Sequence, residues 1–194
     1  DVIVVGAGIV GLAIAYELST MYGNILVVEK ENTFGKHVSS RNSEVIHSGL
    51  YYNSDSLKAK LCVKGNRLMY EFARKYNINY SNCGKLIVIP TKAEFLSLEE
   101  IMDNGIQNGL EGLHLLTKKE VSKREPLIKS AGALYVPSTG IIDSHAVMQK
   151  LEYLIKTNNS NIVYNTEVVN IQHKNSRYIV SFSDIEYKAE SKII

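Results

Sequence analysis

Gly6, Gly8 and Gly11 stand in the spacing Gly-x-Gly-x-x-Gly, and an acid, Glu29, closes the next apolar run. Glycines in that order let a chain turn sharply, bring bare backbone against a pyrophosphate and pack the following segment closely. A carboxylate placed as Glu29 is can accept hydrogen bonds from a ribose, and it disfavours a ribose 2′-phosphate. The chemistry this pattern offers is the binding of a dinucleotide. The glycines alone would be weak grounds, because a turn in any strand–helix–strand unit can hold them.

A second cluster follows at once. In HVSSRNSEVIHSGLYY, residues 37–52, a polar run gathers Ser39, Ser40, Arg41, Asn42 and Ser43. Hydroxyl and amide groups can satisfy free helix amides or phosphate oxygens, and Arg41 adds a forked, charged donor. A surface turn with a capping serine would use the same residues.

These groups need elements to position them. Residues 2–5 form an apolar run before the glycines, and Ile9, Leu12, Ala13 and Tyr16 after them share one face of a helix. Residues 25–28 make the second strand, and the free amides and dipole of the helix start would face the phosphates. Beyond the polar stretch, Leu61, Leu68, Met69, Phe72 and Tyr76 mark a helix. Strands are expected at 85–89, 113–116 and 133–136, a helix at 94–108, and a short helix ending before Pro126. Asp143 and Ser144 read as the start of a helix running to about 157. Short β-rich runs at 162–164, 167–172, 178–182 and 186–189 suggest a strand followed by a meander.

The architecture expected is α/β: a Rossmann-like dinucleotide-binding domain with a βαβ start and a β-meander, plus an inserted α+β substrate domain. Its first part spans 1–80, the substrate-domain portion 81–137, and its second, incomplete part 138–194. The inserted block would cover the reactive end of the cofactor and place a substrate between domains. Asp1 enters the first strand directly and Lys192 to Ile194 stop within an apparent strand, so the chain reads as an amino-terminal fragment.

Composition narrows the partners. The 194 residues are 45% hydrophobic, enough for a sizeable core. The formal charge of +2 comes from 22 basic and 20 acidic residues scattered along the chain, without the basic stripe a nucleic-acid partner needs. No apolar run reaches the ~20 residues that span a bilayer, so membrane association would be peripheral. Cys62 and Cys83 fit neither a metal pattern nor CxxC and read as free thiols; His114, His145 and His173 give no metal spacing, so no metal is expected.

The chain resembles the FAD-dependent oxidoreductases of the D-amino-acid oxidase superfamily, most closely the L-2-hydroxyglutarate dehydrogenases or oxidases. GAGIVG with Glu29, then SSRNSEVIHSGLYY, carry the likeness; LKAKLCVKGNRLMYEF, CGKLIV, PSTGIIDSHAVMQ and NTEVVNI extend it along essentially the whole chain. The resemblance implies FAD as cofactor, with Gly6, Gly8 and Gly11 at its pyrophosphate, Glu29 at its adenosine ribose and Ser39, Ser40, Arg41 and Asn42 completing the contacts. Val168 would offer main-chain groups to the adenine, although a plain core role suits its side chain equally. His47 would lie nearest the flavin, as the base that takes a hydroxyl proton while hydride leaves the substrate carbon, or as a histidine that only holds structure. Tyr51 would bind the carboxylate of a small anionic substrate. The implied reaction is oxidation of an L-2-hydroxy acid, 2-hydroxyglutarate first among them, with oxygen or a quinone as electron acceptor. Alternatives are a glycerol-3-phosphate oxidase or dehydrogenase, a nicotinamide-dependent dehydrogenase and a non-catalytic nucleotide-binding module. The expected location is the cytoplasm or the periphery of the inner membrane, and mitochondrial in a eukaryote. The family also implies a carboxyl-terminal half that carries more of the site.

Overall fold

The structure is a computed structural model and describes residues 2–183 and 188–194. In chain order the elements begin β1 (Val2–Val5), α1 (Ile9–Met21), β2 (Ile25–Val28), β3 (Val45–Ile46) and α2 (Leu57–Tyr76). They continue β4 (Tyr80–Ser81), β5 (Lys85–Ile89), α3 (Phe95–Gln107), β6 (His114–Thr117) and α4 (Lys118–Arg124). The remainder is β7 (Gly132–Val136), β8 (Gly140–Ile142), α5 (Ser144–Thr157), β9 (Asn161–Val163), β10 (Val168–Lys174), β11 (Arg177–Phe182) and β12 (Lys188–Ser191). The chain forms two compact units, Asp1–Ser43 with Ser144–Ile194, and Glu44–Asp143.

In the first unit β1, β2 and β9 form a parallel sheet, with Val2 opposite Ile25 and Leu26 opposite Asn161. Parallel neighbours need a crossover, and α1 supplies the one between β1 and β2. The meander β10–β11–β12 packs through Val180, Val168 and Phe182 against Ile3 and Val28 of the sheet. Helix α5 buries Val147, Met148, Leu151 and Ile155. The expected strand at 186–189 falls in part on residues outside those described, and β12 begins at Lys188.

Helix α1 buries Leu12, Ala15 and Ser19, while Ile9, Ala13 and Tyr16 are only half-buried. The expected face was misplaced because IVGLAIAY is apolar nearly all round, so periodicity cannot select a stripe. Helix α2 departs in the same way: Leu61 and Leu68 are exposed, and the buried stripe is Ala59, Asn66, Tyr70 and Ala73.

The second unit holds two antiparallel sheets, β3–β8–β4 and β5–β7–β6. Its core gathers Leu50, Ile89, Leu98, Leu110, Leu134 and Val136. Strands β3, β4 and β8 have two or three residues each, too short to leave an alternating signal. They set the unit's limits: β3 and β4 both pair with β8, and Asn66 and Tyr70 of α2 donate to the carbonyl of Ser138. Residues 44–80 therefore cluster with the middle block, so the units divide at Ser43 and Asp143 where the sequence suggested 80 and 137.

Candidate functional site

The glycine turn divides its labour. Gly6 sits at φ +100°, a backbone region that glycine enters without steric cost. A Cβ on Gly11 would lie 2.1 Å from the Gly6 carbonyl oxygen, so close packing of α1 on the turn requires glycine there. Gly8 is different. Its φ of −72° and ψ of 170° suit any residue, and an added Cβ would meet only the Ser39 hydroxyl at 3.2 Å. Nothing inside the fold demands glycine at position 8. A ligand approaching the bare backbone would, and a pyrophosphate at a helix start would fit that demand.

Glu29 is buried at the carboxyl end of β2, only 9% exposed. One carboxylate oxygen accepts the amide of Ala7 at 2.7 Å, and the other accepts the amide of Glu31 at 2.9 Å. The acid thereby ties the glycine turn to the end of the neighbouring strand. Each oxygen keeps lone-pair capacity for a ribose hydroxyl.

The polar run is partly structural. Ser39 Oγ accepts the amide of Ile9 at 3.0 Å, so it caps α1, whose own cap residue Gly8 has no side chain to do so. Asn42 donates to the Ser39 carbonyl at 2.7 Å and to the Ser144 hydroxyl at 3.2 Å, which fixes the run against the start of α5. The Ser40 hydroxyl is spent on the His37 carbonyl. The exposed Arg41 side chain has no ion-pair partner among the described residues.

Val168 packs its side chain against the core of Ile3, Val28 and Val180. The β10–β11 register is irregular between Val168 and Asn170, and Val169 is left exposed. Such a shift releases main-chain groups from the ladder. The amides of Asn165 and Thr166 just before it bond the carbonyls of Glu31 and Glu29. Gly6, Gly8, Gly11, Glu29, Ser39 and Val168 all belong to the first unit, and these residues fit a dinucleotide carrying an adenosine.

His47 and Tyr51 belong to the second unit. His47 has an exposed side chain, while its carbonyl accepts from Asn66 at 3.1 Å and from the Cys62 thiol at 3.6 Å. Asn104 of α3 and Asn108, which caps the end of that helix, hold the rest of the loop. Asn104 donates to the carbonyls of Leu50 and Tyr52 at 2.6 and 3.1 Å, and Asn108 to those of Gly49 and Tyr52 at 2.9 and 2.8 Å. Tyr51 is 57% exposed, and the Lys85 ammonium stands 4.4 Å from its ring centre. Burial pushes the Tyr51 phenol above its usual value. Sequence reasoning missed Asn66, Asn104, Asn108 and Lys85. A signal existed for the asparagines: Asn66 and Asn104 are poor helix formers inside helices, and Asn108 follows Asn104 at the spacing of one face, at the helix end.

No group of His, Cys, Asp or Glu among the described residues could hold a metal ion. His114, His145 and His173 each lie tilted against an aromatic ring, of Tyr135, Phe34 and Tyr178 respectively. Cys62 and Cys83 are free thiols. No helix among the described residues is long and apolar enough to cross a membrane.

A glycine turn between parallel strands, capped from a distant serine and closed by a buried acid, defines a dinucleotide-binding α/β protein. The family model for FAD dependent oxidoreductases (DAO) matches residues 1–192, and the chain belongs to that family. It is 42% identical to the mitochondrial L-2-hydroxyglutarate dehydrogenase of Dictyostelium discoideum, over 94% of this chain and 43% of that protein. It is 34% identical to the L-2-hydroxyglutarate dehydrogenase of Escherichia coli K12, over 100% of this chain and 46% of that one. Among solved structures, the FAD-bound L-alpha-glycerophosphate oxidase of Mycoplasma pneumoniae superposes with a TM-score of 0.91 at 30% identity, covering 100% of this chain and 52% of that one. The chain thus spans about half the length of the relatives it matches. FAD is the cofactor of the family, and the α/β architecture expected from the sequence is the one observed.

Proposed function

We propose that this chain is part of an FAD-dependent oxidoreductase that converts L-2-hydroxyglutarate to 2-oxoglutarate. The observation that carries the cofactor half of this reading is the buried Glu29 carboxylate, bonded to the amide of Ala7 inside the glycine turn. The substrate half is supported by relatives named for L-2-hydroxyglutarate at 34–45% identity.

On this reading the unit of residues 1–43 and 144–194 binds FAD. Gly6, Gly8 and Gly11 accommodate its pyrophosphate, Glu29 accepts its ribose hydroxyls, Ser39, Ser40, Arg41 and Asn42 complete the contacts, and Val168 meets the adenine through its backbone. FAD, when bound, supplies the acceptor for a hydride from the substrate C2. His47 takes the proton of the C2 hydroxyl as that hydride leaves, so the alcohol loses two electrons and two hydrogens and becomes a ketone. Tyr51 donates to a substrate carboxylate. Oxygen or a quinone is the final acceptor. The enzyme is mitochondrial if its source is a eukaryote, as its eukaryotic relatives are named, and cytoplasmic or peripheral to the inner membrane otherwise.

A second reading, oxidation of glycerol 3-phosphate, is favoured by the TM-score of 0.91 to the Mycoplasma oxidase. Anaerobic mixing of the full-length, flavin-loaded enzyme with either compound separates the two. Bleaching of the flavin band by L-2-hydroxyglutarate, and slow or no bleaching by its D-enantiomer and by glycerol 3-phosphate, is expected. Rapid bleaching by glycerol 3-phosphate alone would overturn the substrate while leaving the FAD assignment.

A further inference from the structure

Lys85 opens β5 and, with the loop of His47 to Tyr52, lines a shallow crevice of the second unit. Its ammonium faces the Tyr51 ring at 4.4 Å, and no carboxylate among the described residues forms an ion pair with it. An aromatic face offsets only part of what a cation loses on leaving water. Burial accordingly holds the Lys85 ammonium below the usual lysine range. Lys85 also lines a cleft of about 510 Å³ shared with Arg124, Glu125 and Tyr135. The charge of Arg124 is already answered there: its guanidinium lies 4.5 Å over the Tyr135 ring, Glu125 lines the same cleft, and Arg124 contributes to holding the Glu120 carboxyl low after the bonds from Thr117. Lys85 forms no ion pair with Glu125 or with any other carboxylate among the described residues.

We propose that Lys85 binds the second carboxylate of a dicarboxylic 2-hydroxy acid and so sets the preference for dicarboxylates over monocarboxylates at the crevice of His47 and Tyr51. The inference rests on the L-2-hydroxyglutarate reading and names the residue that would distinguish this substrate from shorter hydroxy acids. A charge-assisted bond from ammonium to carboxylate is formed only by the longer, doubly charged substrate. A monocarboxylate leaves the lysine as it is in the free protein, and discrimination follows from that difference.

The test uses the full-length, flavin-loaded enzyme and the variants Lys85→Met, Lys85→Gln and Lys85→Arg. One readout is kcat/KM for L-2-hydroxyglutarate and for L-2-hydroxybutanoate. The other is the calorimetric Kd of 2-oxoglutarate and of 2-oxobutanoate. Loss of the charge is expected to lower the dicarboxylate preference by about 10- to 100-fold in both readouts, with Lys85→Arg retaining most of it. If Lys85→Met does not fold, Lys85→Gln gives the same comparison. An unchanged ratio, or an equal loss for both ligands, overturns the assignment of Lys85. A wild-type enzyme that does not take L-2-hydroxyglutarate at all fails the functional reading instead, and Lys85 falls with it.

Discussion

Glu29 and Ala7, far apart in sequence, meet in a 2.7 Å hydrogen bond that the middle amide of the glycine turn donates to a buried carboxylate. The acid at the end of β2 therefore holds the turn in shape, and on the proposed reading it also accepts the FAD ribose. Its removal acts on the fold and on the cofactor together. Glu29→Ala is expected to cost about 1–3 kcal/mol of stability, because the amides of Ala7 and Glu31 lose their acceptors, and to weaken FAD retention besides. Thermal melts of the apoprotein measure the first effect and flavin content after dialysis the second. Unchanged values of both would remove Glu29 from its assigned position.

Gly8 and Gly11 should separate cleanly. Gly11→Ala puts a methyl 2.1 Å from the Gly6 carbonyl oxygen and is expected to disrupt folding with or without FAD. Gly8→Ala has an ordinary backbone and only the Ser39 hydroxyl nearby at 3.2 Å, so it should fold. Its apoprotein is expected to melt close to wild type while its flavin content falls. A Gly8→Ala protein with full flavin occupancy would mean that the pyrophosphate does not approach this backbone.

For His47, Asn keeps a polar side chain of similar reach but cannot accept the proton as imidazole does. His47→Asn is expected to slow single-turnover flavin reduction by roughly 10²- to 10⁴-fold with a smaller change in substrate affinity. A rate within a few-fold of wild type would confine His47 to a structural role.

Tyr164 is expected to make the first unit lose stability at alkaline pH. Burial, then its bond to Glu152 at 2.8 Å and the charges of Glu152 and Glu29, push its hydroxyl well above the ordinary value of 10.0. An acid whose folded pKa is raised binds its proton more tightly in the native state. Its stabilising contribution is therefore whole below the unfolded value and is lost as pH rises beyond it. Thermal melts between pH 8 and about pH 11 should show wild type losing stability more steeply above pH 10 than Tyr164→Phe. Parallel curves would contradict the sign.

The sequence was most legible where a local rule had one solution. Lys85–Ile89 is a strand as expected because β-branched residues run up to Pro90, and the βαβ start is as expected because VIVV, three glycines and ILVV close by an acid permit little else. Legibility failed where tertiary partners decide. The apolar surface of α1 hides which stripe is buried, and nothing local announces that Ser39 caps a helix begun thirty residues earlier. What Asn66, Asn104 and Asn108 hold was illegible for the same reason, since their carbonyl partners at Ser138, Tyr52 and Gly49 lie far away in sequence and residue type and spacing mark only the asparagines themselves. The strands β3, β4 and β8 exist through pairing rather than pattern, and with the bonds of Asn66, Asn104 and Asn108 they tie residues 44–80 to the middle block.

The assignment of Glu29 and the glycine turn to FAD is tested most directly by a crystal structure of the full-length protein with FAD bound. The expected density places the adenosine ribose hydroxyls within hydrogen-bond reach of the Glu29 carboxylate and the pyrophosphate against the backbone of Gly8. FAD density that touches neither Glu29 nor Gly8 would contradict the assignment.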